Sequence, residues 1–279
     1  MDINNVFLNS HSYRYSLYKN KNTEQHVIFL LGALQDIESV DSFSRSFSEH
    51  LNCLTLEAPG TGRTPLLEAT VSIQQQTQMV LEFIEHMQIE KAHIIAFSYA
   101  TSIAVELCDI WPHVISLSIF GGVPGIPSSG REATKKVLAS AMINSHKFAQ
   151  TFTRVLTSDH PDIPRNKVII KASERSISKF DSYRISVFFE NTIRLLSYSP
   201  QNLDHIKIPC TICVGEYDPY VTKEQAYIFS TKITNSHFVV IKNADHLGHL
   251  QHPDKVSAAM IALPAASVLA DAQLKNLNN

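Results

Sequence analysis

The stretch "AHIIAFSYATSIA", residues 92–104, is a short apolar run that breaks at Ser98 between small residues and resumes with a helical pattern. A strand that turns into a helix at a serine holds that serine in a strained backbone conformation with its hydroxyl exposed. The flanking residues must be small because the strand and helix backbones pass close together there. Ala96 and Ala100 stand where a Gly-x-Ser-x-Gly turn would place its glycines. A serine between alanines also occurs in plain tight packing, so its weight depends on what lies on either side.

On the N-terminal side, apolar runs alternate with amphipathic stretches: "HVIFLLG" (26–32), "SFSRSFSEHL" (42–51), "CLTLEAPG" (53–60) and "IQQQTQMVLEFIEHM" (73–87). After Ser98 come a helix from about residue 101 to 108 and the strand "VISLSIFGG" (114–122), while "SYRYSLYK" (12–19) alternates as an edge strand does. Such a series predicts an α/β fold, a mostly parallel central sheet with helices on both faces. Past Pro124 the alternation stops, and residues 128–200 read as polar and aromatic helices; it resumes at "PCTICVGEYD" (209–218) and "HFVVIKNADH" (237–246). The simplest organisation is one catalytic domain, with residues 1–124 and 205–279 forming the core and residues 125–204 a helical cap inserted after the sixth core strand. Residues from about Ala265 onward show no clear pattern and are expected to fray.

Composition narrows the chemistry. With 279 residues, 44% hydrophobic and 18% charged, the chain can bury a sizeable core, and its formal charge of −2 gives no electrostatic case for nucleic acid or an anionic membrane. No apolar run approaches the roughly 18 residues that span a bilayer. The start "MDINNVFLNS" has neither a basic nor an apolar leader region, so a cytoplasmic location is expected. Cys210 and Cys213 are three apart within a strand-like run and face opposite ways, which sets them against a metal site or a disulfide. No metal or cofactor is expected.

A serine hydroxyl needs a general base, itself oriented by an acid. An acid and a histidine just past later strand ends could supply them. Asp218 follows the strand at 209–214, and His246 follows the strand at 237–244. The turn "FGGVPG" has no acid, Glu216 sits on the strand side of its turn, and Asp245 should point away from the base; His249 and His252 lie further into the next helix. Two amides must face the developing oxyanion: Tyr99 supplies one, and "LLGALQD" the other through Ala33 or, as the weaker choice, Leu34. "EAPGTGRT" (57–64) is a glycine-rich turn without the lysine and helix of a nucleotide site. In the cap, Phe148, Phe152, Val155 and Leu156 share a helical face, and "YRISVFFENTIRLL" (183–196) carries a second stripe. Leu34, Phe148, Phe152 and Phe188 are the candidate lining for an apolar chain.

"LLGALQD", "EAPGTGRT", "AFSYA", "VGEYDPYV" and "NADHLGHLQHP" occur in the order and at the spacing of the α/β-hydrolase superfamily, which the chain resembles over nearly its full length. The resemblance implies Ser98 as nucleophile, Asp218 as acid, His246 as base, and Tyr99 and Ala33 as oxyanion amides. Departures are Leu31 for the usual histidine of the oxyanion loop, Glu57 for the usual aspartate, alanines for the elbow glycines, and Asp245 for the usual glycine. Within the superfamily, the "GAL" loop, "SFSRSFSEHLN", "GEYDPYVT" and the cap length are similar to the bacterial hydroxyalkanoyloxy-alkanoate synthases, which join two hydroxyacyl chains. The expected function is cleavage or transfer of an apolar acyl group from an ester or thioester, with acyl carrier protein or coenzyme A as candidate carriers. The alternatives are a hydroxyacyl acyltransferase and a non-catalytic ligand binder.

Overall fold

A computed structural model describes residues 2–200 and 203–277. Eight strands form one sheet: β1 (Ile3–Leu8), β2 (His11–Tyr18), β3 (His26–Leu30), β4 (Asn52–Glu57), β5 (Ala92–Phe97), β6 (Val114–Phe120), β7 (Cys210–Gly215) and β8 (Ser236–Ile241). They lie in the order β1-β2-β4-β3-β5-β6-β7-β8, with β2 antiparallel to β1 and β4 and every later pairing parallel. β1 has no counterpart in the sequence reading. Its "INNVFL", broken by Asn4 and Asn5, alternates only weakly and gains strand geometry from pairing with β2.

The central strands are buried along their whole length because helices cover both faces, and β-branched and aromatic residues suit them. Their side chains alternate between two cores. Ile28, Ile94, Leu117 and Ile212 pack with Val80, Phe83 and Ile84 of α2 (Ile73–His86), Ile103 and Leu107 of α3 (Ala100–Ile110), and Phe229 of α8 (Lys223–Thr231). Phe29, Phe97, Phe120 and Cys213 point the other way, toward Phe43 and Phe47 of α1 (Asp41–Ser48) and Val256 and Met260 of α10 (Pro253–Leu277), which follows the short α9 (Gly248–Gln251). Cys210 and Cys213 thus fall in opposite cores, as their spacing required. The helices start at strong signals: Ser72 and Gln75, and Thr222 and Gln225, form capping boxes at α2 and α8.

Two further expectations change. α10 runs on to Leu277 through Pro264, where fraying from about Ala265 was expected; its first turns are anchored on the sheet, and helix propagates cheaply from an anchored start. Between β6 and β7 lie α4 (Arg131–Ala141), α5 (Ser145–Leu156), α6 (Asn166–Ile177) and α7 (Ser182–Ser197), whose mutual contacts centre on Val137, Phe148, Ile177 and Phe188.

Glu57, at the end of β4, is fully buried and accepts from the Ile37 amide (2.8 Å), the Arg63 amide (2.7 Å) and Arg14 Nη1 (2.8 Å). Burial raises its pKa, with these donors opposing the shift. Removing the carboxylate leaves the buried Ile37 amide and the Arg63 amide without their acceptor, and leaves Arg14 with Glu38 alone. Glu57→Ala should therefore lose about 3 kcal/mol of stability, read by equilibrium urea unfolding.

Candidate active site

β5 ends at Phe97 and α3 begins at Ala100, so Ser98 must reverse the chain within two residues. It does so at φ 45°, in the left-handed region. Its amide donates to Phe120 O (2.9 Å), continuing the β5–β6 ladder, while Thr101 N donates to Ser98 O (3.0 Å) and closes the first helical turn. Close neighbours on each side are small. A Cβ at Gly32 would lie 3.4 Å from Ser98 Cβ, and one at Gly122 would sit 2.9 Å from Ser98 O and 1.8 Å from Thr101 Oγ1.

Asp218 and His246, 120 and 148 residues beyond Ser98, come together with it at the C-terminal edge of the sheet. Ser98 Oγ lies 3.1 Å from His246 Nε2, and His246 Nδ1 lies 2.7 Å from Asp218 Oδ2. The other Asp218 oxygen accepts from the Tyr220 and Val221 amides, both at 2.9 Å, and these fix the carboxylate's orientation. Because the carboxylate can only accept, Nδ1 carries the proton and Nε2 presents a lone pair to the serine. Burial opposes protonation of His246, but the charge and hydrogen bond of Asp218, helped by the Asp245 charge, prevail and raise its pKa above the usual 6.5. Gly121, at φ +59°, lies beneath the imidazole; a Cβ there would come 3.4 Å from Cε1. Tyr220 meets the same ring edge-on at 5.8 Å.

Ala33 lies in the loop over Ser98 and lines the same cavity as Tyr99. The loop is held by Gln35, whose Oε1 accepts from the Gly32 amide (2.8 Å) and whose Nε2 lies 3.5 Å from His249 Nε2. His249 packs among Phe43, Phe97 and Phe120, and burial, with His246 nearby, pushes its pKa down to about 4. It is a neutral wall of the site. Asp245 turns from His246: its carboxylate accepts from the Leu247 and Ser158 amides (2.8 and 3.0 Å) and from Gln251.

A cavity of about 630 Å³ opens over Ser98, with far more apolar than polar wall. Leu34, Phe152 and Phe188 line it, with Val155 and Leu156. Phe148 does not. It is fully buried behind the wall, 5.8 Å from the Phe152 ring and 5.1 Å from that of Phe188, because it lies a full turn earlier along α5, where Val137 and Phe188 pack over it.

The sequence reading missed the polar ties that join α7 to the core. Arg184 Nη2 donates to Asp36 (2.7 Å) and Leu34 O (3.1 Å); burial alone would raise the Asp36 pKa, but Arg184 and Arg63 hold it below the usual range. Arg194 is 1% exposed and, among the described residues, faces no carboxylate. Its guanidinium instead donates to Val71 O (2.6 Å), Leu67 O (2.7 Å), Glu68 O (2.8 Å), Asn191 Oδ1 and the Tyr99 hydroxyl (3.3 Å). That hydroxyl also lies 2.7 Å from Gln76 Oε1. Nothing in a lone arginine at the end of an apolar stripe distinguishes it from a solvated one.

The alpha/beta hydrolase family model matches residues 27–259. The chain is 22% identical to an (E)-2-((N-methylformamido)methylene)succinate hydrolase of Acinetobacter baylyi, covering 77% of this chain and 81% of that protein. It is 21% identical to an (R)-3-hydroxydecanoyl-ACP:CoA transacylase of Pseudomonas putida, covering 82% and 78%. Among solved structures, an alpha/beta hydrolase enzyme from a Medee basin deep-sea metagenome library superposes with a TM-score of 0.84 at 16% identity, covering 93% and 96%. The enol-lactonase of Burkholderia xenovorans gives 0.79 at 16%, covering 93% and 99%.

Arg194→Met retains bulk but leaves three carbonyls and the Tyr99 hydroxyl without their donor. Urea unfolding should show a loss of about 3 kcal/mol or more.

Proposed function

Since the chain belongs to the alpha/beta hydrolase family, we propose that it is a serine enzyme that takes an apolar acyl group from an ester or thioester through an acyl-enzyme. The observation carrying this reading is the unbroken relay from Asp218 through His246 to Ser98 at the floor of an apolar cavity. His246 Nε2 removes the Ser98 proton as Oγ bonds to the carbonyl carbon, and Asp218 stabilises the imidazolium that forms. The Tyr99 and Ala33 amides receive the oxyanion. Collapse breaks the carbonyl bond to the leaving oxygen or sulfur, which takes the proton from His246. Leu34, Phe152 and Phe188 hold the acyl chain, and residues 125–204 act as the cap over it.

Water or a second substrate's hydroxyl or thiol then attacks the acyl carbon as His246 takes its proton, and collapse breaks the ester bond to Ser98 Oγ, which regains its proton from His246. Transfer is favoured by the mainly apolar cavity wall, which excludes competing water, and by the likeness to a transacylase. A thioester on acyl carrier protein or coenzyme A is the donor this second reading requires. Mass spectrometry of products from a hydroxyacyl thioester separates the two: free acid alone means hydrolysis, and a condensed ester or new thioester means transfer.

A fluorophosphonate probe should label the native chain and leave Ser98→Ala unlabelled; equal labelling of both would defeat the reading. The pH profile carries its own sign. The base must be neutral and its pKa is raised, so kcat/KM should climb through a midpoint above 6.5. Asp218→Asn removes the raising charge, so the midpoint should move down while kcat falls by about 10⁴-fold.

A further inference from the structure

Charge is unevenly divided along this chain. Residues 131–197 carry twelve Lys and Arg against six Asp and Glu, leaving twelve against twenty for the remainder. α4, α5 and α6 each carry a net excess of two, and α6 lines its three cations along a single exposed face. Lys167, Lys171 and Arg175 recur every fourth residue, all exposed, and Lys179 follows just past the helix end, also exposed. Among the described residues none of the four makes an ion pair. Glu174, the helix's single acid, is half-buried.

The position of this stripe matters as much as its charge. Ala172 and Ser176 line the cavity and are exposed, so they form part of its mouth. They lie one step round the helix from Lys171 and Arg175. The next side of α6 carries Ser173 and Ile177 into the cavity wall. One helix therefore presents, in sequence around its axis, a basic outer face, a lip and an inner wall. The other charges at the mouth are neutralised locally: Arg63 pairs with Asp36 (2.9 Å) and Glu38 (3.1 Å), and Arg184 with Asp36 (2.7 Å).

We propose that the exposed face of α6 docks an acidic carrier protein that delivers its thioester-bound acyl chain past Ala172 and Ser176 to Ser98. This rests on the acyl-transfer reading and names the partner of that site. Three cations spread over two turns span about 12 Å, which matches an acidic protein surface better than a phosphate, where cations must converge on one point. Val168, 67% exposed, sits within the stripe and gives it the mixed apolar and basic character of a protein interface. A lipid surface would instead need an apolar helix face turned outward, whereas Ile169 and Ile170 of α6 are half-buried and Ile177 is buried. Opposite charge steers the encounter and sets the orientation.

The test is the triple variant Lys167→Glu, Lys171→Glu, Arg175→Glu in the full chain, with its fold checked by circular dichroism. The binding arm uses Ser98→Ala with and without the triple change, titrated with an acidic acyl carrier protein bearing a hydroxydecanoyl chain. The kinetic arm compares that thioester with the coenzyme A thioester and with a neutral p-nitrophenyl ester. Charge reversal should raise Kd and KM for the carrier protein by about tenfold or more, and raising salt should weaken native binding likewise. Neutral-ester turnover should stay within about twofold, because no reacting group has changed. Unchanged carrier affinity overturns the proposal, as does an equal loss for the coenzyme A thioester or competition by anionic phospholipid vesicles. A native chain that binds the carrier protein but turns over nothing removes the acyl-transfer reading and leaves the docking surface standing.

Discussion

The left-handed backbone at Ser98 is the constraint around which the rest is arranged. A non-glycine residue at φ 45° costs on the order of 1–3 kcal/mol and persists only where its surroundings over-determine it. Here β5 lies between β3 and β6 in the middle of the sheet, and α3 starts two residues later, so neither flank can relax. The missing side chains at Gly32 and Gly122 make room on either side. The alanines at 96 and 100 are small enough for the same approach, both almost fully buried. Strain at this point turns the hydroxyl out of the sheet and toward His246.

The turn is also tied from behind. Tyr99 sits in a buried polar network with Gln76 on α2, Asn191 and Arg194 on α7, and through Arg194 with the carbonyls of Leu67, Glu68 and Val71. Burying an arginine without a carboxylate is costly, and its hydrogen bonds must offset most of that cost. Such a network fixes the geometry of its members, and breaking it leaves buried groups unpaired. It joins α7 to the residue whose amide faces the proposed oxyanion. Asp36 with Arg184, and Asp245 with the Ser158 amide, fasten the same helical layer at two other points.

Apolar and polar roles are divided along the cavity. Its floor holds the Ser98, His246 and Asp218 relay, its walls are aromatic and aliphatic, and its mouth is rimmed by charge. His249, whose pKa burial pushes down to about 4, forms part of that wall. In the acyl-transfer reading, this gradient admits a chain whose reactive end is polar and whose body is not.

Much of this was legible in the residues themselves. Hydrophobic period and turn chemistry are local, so the alternation of strands and helices, the helical segment between β6 and β7, and the serine turn could be read directly. The order of Ser98, Asp218 and His246 could also be read, since each follows a strand end. Contacts made across the chain could not. β1 exists because β2 accepts it, and α10 continues because the sheet anchors its first turns. Phe148 and Phe152 are indistinguishable on a helical wheel, yet only Phe152 reaches the cavity. Likewise the sequence showed an arginine at 194 and left its burial open. The chain's local pattern thus determined most of the elements and which side chains could react. Tertiary packing alone decided which of them meet, because burial and hydrogen-bond partners depend on residues a hundred or more positions away.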